Sequence, residues 1–187
     1  MKKVVLLVLV AFMTLAMGQK AQAIEDPNPT GTLVIGARAG IFYGYGANFV
    51  ADYTVVDYWW KGHFTVGAYT GFNWNPNPYY IELHERRPGF WNWALMPRAT
   101  YGINIIEDLE IHAGVMAGFC VQHWPSEYHL EDPNRFLFTH GEFVGARYMF
   151  LDNFGVEAEI IYSSNFGRRG YDPYGMSYFN VGFTYQF

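Results

Sequence analysis

Bulky apolar residues alternate with small or polar residues from Thr32 to the last residue, Phe187. A repeat of two is typical of β-strands with one apolar face, whereas an amphipathic helix repeats its apolar residues at i, i+3 and i+4. Eight alternating segments follow one another, near 32–43, 47–56, 63–74, 90–104, 109–122, 136–150, 154–164 and 176–187. The pattern therefore predicts an all-β chain of eight strands.

The connections between these segments fall into two groups of different length. Short turns are expected on one side, at 57–62, 107–108 and 151–153. Longer loops are expected on the other side, at 75–89, 123–135 and 166–175, after a short first loop at 44–46. Transmembrane barrels have short periplasmic turns and longer external loops. We therefore predict an antiparallel up-and-down transmembrane β-barrel with periplasmic termini and extracellular long loops.

The glycines of these segments share the parity of the polar residues and oppose the Leu, Val, Ile and Phe positions. An eight-stranded barrel has room inside for side chains but not for a channel, so the glycine and polar parity is expected to face the lumen. The apolar parity is then expected to face lipid. The predicted lumen charge network comprises Arg38, Asp52, Arg98, Glu110, His112, Arg147, Glu157 and Glu159.

Buried charges without partners are costly, so these lumen residues are expected to pair into a plug of salt bridges. A path for protons or small ions, giving a narrow porin-like conductance, is the alternative use of the same residues. A soluble lipocalin-like barrel is the structural alternative, because it also alternates. Segments such as Phe179, Val181, Phe183 and Tyr185 would overfill its small lumen.

The N-terminus has the composition of a secretory signal peptide. Lys2 and Lys3 precede an apolar stretch over 4–16, and Ala21 and Ala23 form a small-x-small cleavage site. The predicted organisation is a signal peptide at 1–23, a periplasmic segment at 24–31 and a barrel at 32–187. Without the three leader lysines, nine basic residues face 17 acidic ones. This balance argues against a basic face for nucleic acid.

The C-terminal segment 178–187 alternates apolar residues and ends in Phe187. It is similar to the assembly signal of Gram-negative outer-membrane barrels, with Tyr185 and Phe187 at its last outward positions. Together with the glycine-aromatic strands, it resembles the small OmpA/OmpX-like and opacity-type barrel family. The resemblance implies a cell outer-membrane location and recognition by the barrel-insertion machinery, but it names no function, since that family includes adhesins, structural proteins, pores and lipid-modifying enzymes.

Five arginines lie in the predicted external loops: Arg86, Arg87, Arg135, Arg168 and Arg169. The planar guanidinium group suits phosphate, and lipopolysaccharide presents phosphates at that surface. These arginines are therefore candidate lipopolysaccharide contacts, with solvated loop charge as the alternative.

Three residues at the membrane edge have the types of a serine hydrolase. If lipid-facing positions pair across the tight turn at 152–153, Ser164 falls opposite His140 or Glu142. A nucleophile, a base and an orienting carboxylate would then share one patch. The Ser-Asn-x-Gly run at 164–167 is also similar to lipid A 3-O-deacylases, although Tyr162 stands where that family has a histidine.

A loop metal site is the last candidate, formed by His84, Glu85, His123, Glu127 and His129. Their spacing is irregular for a metal site, so we predict neither a metal nor another cofactor. The leading hypothesis is a monomeric, non-enzymatic barrel with a structural or surface-interaction role. Its expected partners are outer-membrane lipids, lipopolysaccharide and an extracellular ligand of the loops, and a lipid A ester hydrolase is the alternative.

Overall fold

The computed structural model describes residues 28–41, 44–76, 79–80, 85–86, 89–125, 134–165 and 179–187. The strands are β1 (Leu33–Ile41), β2 (Tyr45–Trp59), β3 (Gly62–Asn75), β4 (Tyr79–Tyr80), β5 (Glu85–Arg86), β6 (Phe90–Ile106), β7 (Leu109–His123), β8 (Asn134–Leu151), β9 (Phe154–Asn165) and β10 (Phe179–Gln186). Among the described residues, no helix is long and apolar enough to cross a membrane.

Eight of these strands close one barrel in the order β1-β10-β9-β8-β7-β6-β3-β2. Each strand is antiparallel to its neighbours. The predicted eight-stranded, antiparallel up-and-down transmembrane barrel is therefore confirmed. The small strands β4 and β5 pair only with each other, within the connection predicted as a loop at 75–89.

The turn between β2 and β3 is tighter than the sequence indicates. β2 continues to Trp59, with register shifts against β3 after Thr54 and after Val56, so only two residues remain in the turn. Trp60 and Lys61 have positive φ angles of 52° and 67°. The Tyr101 hydroxyl lies 2.9 Å from the Trp59 and Trp60 carbonyl oxygens and can donate to either. A side chain from β6 thus stabilises the tight turn between β2 and β3.

The barrel closes where the last strand meets the first. Tyr185 pairs with Ile35, and the Phe187 amide donates to the Leu33 carbonyl at 2.9 Å. The Tyr185 and Phe187 rings lie 4.7 Å apart on the outer surface. Their predicted role as an assembly signal stays a prediction.

Burial alternates along the strands as a two-faced sheet requires. In β1, Val34 is 2% exposed while the next residue, Ile35, is 40% exposed. The outward residues form an apolar exterior, as hydrocarbon demands of a spanning barrel. We call the end that carries the turns at 60–61, 107–108 and 152–153 the short-turn end, and the other the long-connection end.

The lumen contains an apolar layer that the sequence reasoning missed, because it assigned the bulky apolar residues to lipid. Along β6, β7, β8 and β9, charged residues lie toward the short-turn end and apolar residues toward the long-connection end. The apolar layer comprises Val50, Tyr69, Ala94, Met96, Met116, Cys120, Phe143 and Ile161. Buried Leu, Met and Phe residues on the lumen parity fill space that glycine and charge alone would leave empty.

Candidate functional site

The eight residues of the predicted lumen charge network are all buried, and they lie together in the short-turn half of the barrel. Arg147 bridges two carboxylates, lying 3.1 Å from Glu110 and 3.2 Å from Glu157. Arg98 lies 2.7 Å from Glu159 and 3.1 Å from Asp52. These pairs join five strands across the lumen: β2, β6, β7, β8 and β9.

The third arginine, Arg38, completes the network from the β1 side. Its Nη1 atom donates to Glu157 at 3.0 Å and also contacts Glu159. Its Nε atom donates to Asn48 at 2.7 Å, and the Asn48 amide donates to Asn180 at 2.8 Å. Glu157 and Glu159 therefore each contact two arginines.

Two imidazoles complete the contacts of the carboxylates. His112 lies between two of them, with Nδ1 3.0 Å from Glu110 and Nε2 3.2 Å from Glu159. His63, which the strand pattern places near the lumen charges, lies 3.4 Å from Glu110. Because buried carboxylates are stable only with several partners, the imidazoles add contacts to carboxylate oxygens that Arg98 and Arg147 also contact.

Glycine on the lumen wall makes room for these side chains. A Cβ atom at Gly145 would lie 2.6 Å from Cγ of Glu159, and one at Gly102 would lie 2.6 Å from Nε2 of His63. Real Cβ contacts are not that short, so a larger residue would displace the network. The shared parity of glycine and charge in the sequence has this steric cause.

The N-terminal segment closes the short-turn end of the lumen. The Asn28 side chain is buried, and its amide donates to Glu110 at 2.9 Å. The Gly31 amide donates to the Thr54 carbonyl at 3.0 Å, and the Thr30 amide donates to the Asp57 carboxylate at 3.1 Å. The sequence predicts only a periplasmic segment at 24–31, since nothing in its local pattern points to a partner 82 residues away.

Aromatic residues close the long-connection end. Trp124, whose position near a loop suggests a membrane-interface residue, is instead buried in the lumen and stacks on Phe90 with ring centroids 4.8 Å apart. The Arg135 guanidinium lies 5.9 Å from the centre of the Trp124 ring. Closer to the short-turn end, the Arg98 guanidinium lies 3.9 Å from the centre of the Phe143 ring, where the charged and apolar halves of the lumen meet.

The five predicted lipopolysaccharide arginines are only partly described. Arg135 lies in β8, on the lumen parity next to Gln122, and not in a loop. Arg86 lies in the small hairpin strand β5. Arg87, Arg168 and Arg169 lie outside the described residues.

The predicted loop metal set is not assembled within the described part of the chain. Of its members only the His123 side chain is described, and it stacks on Trp91 at 5.1 Å. His112, Glu157 and Glu159 offer donor atoms within 4.8 Å of one another. The guanidinium groups of Arg38, Arg98 and Arg147 already supply positive charge to these carboxylates, so the geometry favours ion pairs over a cation site.

The outward patch has one of the two registers that the sequence allows, the one with Ser164 opposite His140. Strand pairing places His140 opposite Ser164 and Glu142 opposite Tyr162, without a bulge between them. His140 Nδ1 lies 3.8 Å from Glu142 Oε1, and the side chain of Glu142 is 59% exposed on the lipid-facing side. The side chain of Ser164 lies outside the described residues, so its distance to the imidazole stays a prediction.

A closed eight-stranded barrel with an apolar exterior and a filled lumen defines the class of the protein as a small transmembrane β-barrel of the outer-membrane type. The resemblance noted in the sequence is thereby confirmed at the level of the fold. No protein-family model matches the chain, and no curated protein matches it either.

Solved structures share the fold at low sequence identity. The crystal structure of Ail, the attachment invasion locus protein of Yersinia pestis, in complex with the heparin analogue sucrose octasulfate, has a TM-score of 0.51 and 14% identity, covering 83% of this chain and 97% of that one. The backbone structure of Yersinia pestis Ail in a phospholipid bilayer nanodisc has a TM-score of 0.50 and 15% identity over the same shares. The N-terminal barrel domain of Pseudomonas aeruginosa OprF has a TM-score of 0.49 and 12% identity, covering 84% and 98%.

Proposed function

We propose that the protein is a monomeric, non-enzymatic barrel of a Gram-negative outer membrane with a structural or surface-interaction role. Its long loops face the cell exterior, where they meet lipopolysaccharide and an extracellular ligand. Residues 1–23 are the signal peptide, and both termini are periplasmic. Support comes from the closed transmembrane barrel and from the alternation of short turns with longer connections.

The observation that carries this proposal is the filling of the lumen. From the short-turn end upward, Asn28, the charge network, the apolar layer and the Phe90–Trp124 stack follow one another. Hydrated ions need a polar, water-filled path, and an apolar constriction opposes wetting. A barrel filled in this way acts through its surfaces and not as a pore.

Single-channel recording in planar bilayers tests the closed lumen. The purified barrel should show no large stable conductance, while an open porin in the same setup shows that the assay detects one. A large, stable current from this protein would contradict the filled lumen, and a small, reproducible current would favour the alternative of a narrow porin-like conductance.

The lipopolysaccharide contact is tested by charge removal at opposite ends of the barrel. Arg86→Gln combined with Arg168→Gln and Arg169→Gln should weaken binding of purified lipopolysaccharide several-fold and reduce its salt dependence. Lys61→Gln is the matched control, because Lys61 is exposed at the short-turn end. Equal effects of both changes would argue against a contact through the loops.

Export and assembly are tested in cells. N-terminal sequencing should find the mature chain beginning after Ala23 in the outer-membrane fraction, and the purified barrel should be heat-modifiable on gels. Deleting Phe187 should impair assembly if the last strand is read by the insertion machinery. Normal assembly of that variant would contradict the role of the terminal aromatic residue.

A lipid A ester hydrolase is the second candidate, and the pairing of His140 with Ser164 is the observation that favours it. In this hypothesis Ser164 is the nucleophile, His140 the base and Glu142 the orienting group. Ser164→Ala should abolish fatty-acid release from lipopolysaccharide, because removal of a hydrolase nucleophile lowers turnover by about 10⁶-fold. Ser163→Ala is the matched control, since Ser163 is buried on the lumen parity. Unchanged lipid A would exclude this candidate.

A further inference from the structure

The lipid-facing side of β8 carries an ionisable pair in an otherwise apolar surrounding. Phe136 and Phe138 lie beyond His140 on the same face and are 67% and 46% exposed. Val144 follows Glu142 on the other side and is 46% exposed. The pair therefore lies within the apolar surface of its strand and not past its edge. Ionisable residues exposed to hydrocarbon are costly and mark functional sites.

The β7 side of this carboxylate is apolar, and on the β9 side Tyr162 lies opposite Glu142. On β7, Val115 lies opposite Glu142, and Ala117 lies opposite His140. The Glu142 carboxylate lies 3.8 Å from the imidazole of His140. A bound group that donates hydrogen bonds would offset the cost of exposing it to lipid.

A shallow apolar depression of about 240 Å³ begins directly next to this pair, toward the short-turn end. Its lining includes Val144, Gly145, Ala146, Ala158, Ile160 and Phe179. Ala146 lies opposite Ala158, and Val144 lies opposite Ile160, one position beyond the outward pair of Glu142 and Tyr162. Because neighbouring strands are about 4.8 Å apart, two facing alanines leave a trough about as wide as one hydrocarbon chain.

We propose that this surface binds one membrane lipid, with an acyl chain in the depression and a hydrogen-bond donor of the lipid on Glu142. The donor selects the lipid class. The ester groups of a diacyl glycerophospholipid only accept hydrogen bonds. Amide-linked or hydroxylated acyl chains of a glycolipid carry N–H and O–H donors. The site therefore prefers such an acylated glycolipid, of the lipid A type, to a glycerophospholipid.

This inference rests on the proposed outer-membrane placement but not on hydrolysis or on the loop arginines. Binding to the groove leaves every covalent bond of the lipid intact. Ser164→Ala should therefore retain the bound lipid even if the hydrolase candidate is correct. Loss of lipid in that variant would overturn the separation of binding from chemistry.

Native mass spectrometry of the full barrel tests the head of the site. The barrel is released from nanodiscs that contain equal lipid A and phosphatidylcholine, which has no N–H or O–H donor. The parent should retain lipid A preferentially, and Glu142→Leu should lower that preference by about tenfold, as loss of a hydrogen bond to a charged group predicts. Thr70→Leu is the matched control, because Thr70 is another polar residue of the outward parity, on the distant strand β3. Equal retention of both lipids by the parent, or an unchanged preference in Glu142→Leu, would overturn the proposal.

The trough is tested by filling it. Ala158→Phe should reduce lipid A retention about as strongly, while Ala68→Phe on the outer face of the distant strand β3, opposite Ala51, should leave it unchanged. Heat-modifiability of each variant shows that it is folded before lipid is measured. If folded Ala158→Phe retains lipid A like the parent, the acyl chain does not lie in the depression and the proposal fails.

Discussion

Glu159 and Glu142 are carboxylates on adjacent strands, and they face opposite sides of the same sheet. Glu159 is fully buried in the lumen, where Arg38, Arg98 and His112 contact it. Glu142 is 59% exposed to the lipid side and has the imidazole of His140 at 3.8 Å. A carboxylate thus stabilises the fold on the lumen face and destabilises it on the lipid face. Placement, and not residue type, decides the sign of its contribution to stability.

The largest effect is expected when a lumen pair is broken. Arg98→Ala should lower the free energy of unfolding by about 3–5 kcal/mol, because Glu159 and Asp52 stay buried without their shared partner. Arg147→Ala should act similarly on Glu110 and Glu157. Urea unfolding in lipid vesicles measures the change. Arg135→Ala at the lumen mouth is the control and should cost under about 1 kcal/mol. A comparable decrease in the free energy of unfolding for all three variants would show that the network pairs do not stabilise the barrel more than Arg135 does.

An intermediate effect is expected when the space for the network is reduced. Gly145→Ala should destabilise the barrel by about 1–3 kcal/mol, since the new methyl group would displace His112 and Glu159. Ala113→Val adds bulk on the lipid-facing side and should change stability by less than about 0.5 kcal/mol. The same urea titration compares the two. Tolerance of Gly145→Ala would mean that the charge network is loosely packed.

A smaller effect is expected at the N-terminal closure. Asn28→Ala removes a hydrogen bond to Glu110 and should cost about 1.5 kcal/mol. Thr30→Ala is the control, because Thr30 contacts Asp57 through its backbone amide, which the substitution keeps. Equal unfolding free energies for the two variants would indicate that Asn28 does not seal the lumen.

The smallest expected change is an increase in the free energy of unfolding, and it compares Glu142 with Glu159 directly. Glu142→Leu, measured without added glycolipid, should raise the free energy of unfolding by about 1 kcal/mol or less, because a charge leaves the lipid face. Glu159→Leu should lower it, since Arg38 and Arg98 would then be short of a partner. If both substitutions shift stability in the same direction, the two faces do not differ as described.

The strand pattern and the two faces of the sheet could be predicted from the sequence because both are local. A repeat of two requires only that neighbouring side chains point to opposite sides, and it assigned residues such as Arg98 and Glu159 to the lumen. Strand parity across the turn at 152–153 limits Ser164 to a position opposite His140 or Glu142, and local geometry is sufficient for that much. The structure decides for His140, with a register shift between Met149 and Leu151 next to the turn.

Which lumen side chains meet was decided only by the tertiary structure. Arg38 and Glu157 are 119 residues apart, and Asn28 and Glu110 are 82 apart, so their contacts depend on how the strands close and tilt. The same holds for Trp124, whose position next to a loop suggests the membrane interface while its parity takes it inside. Lipid and a packed lumen both accept apolar side chains, and hydrophobicity by itself therefore cannot tell the two sides of this barrel apart.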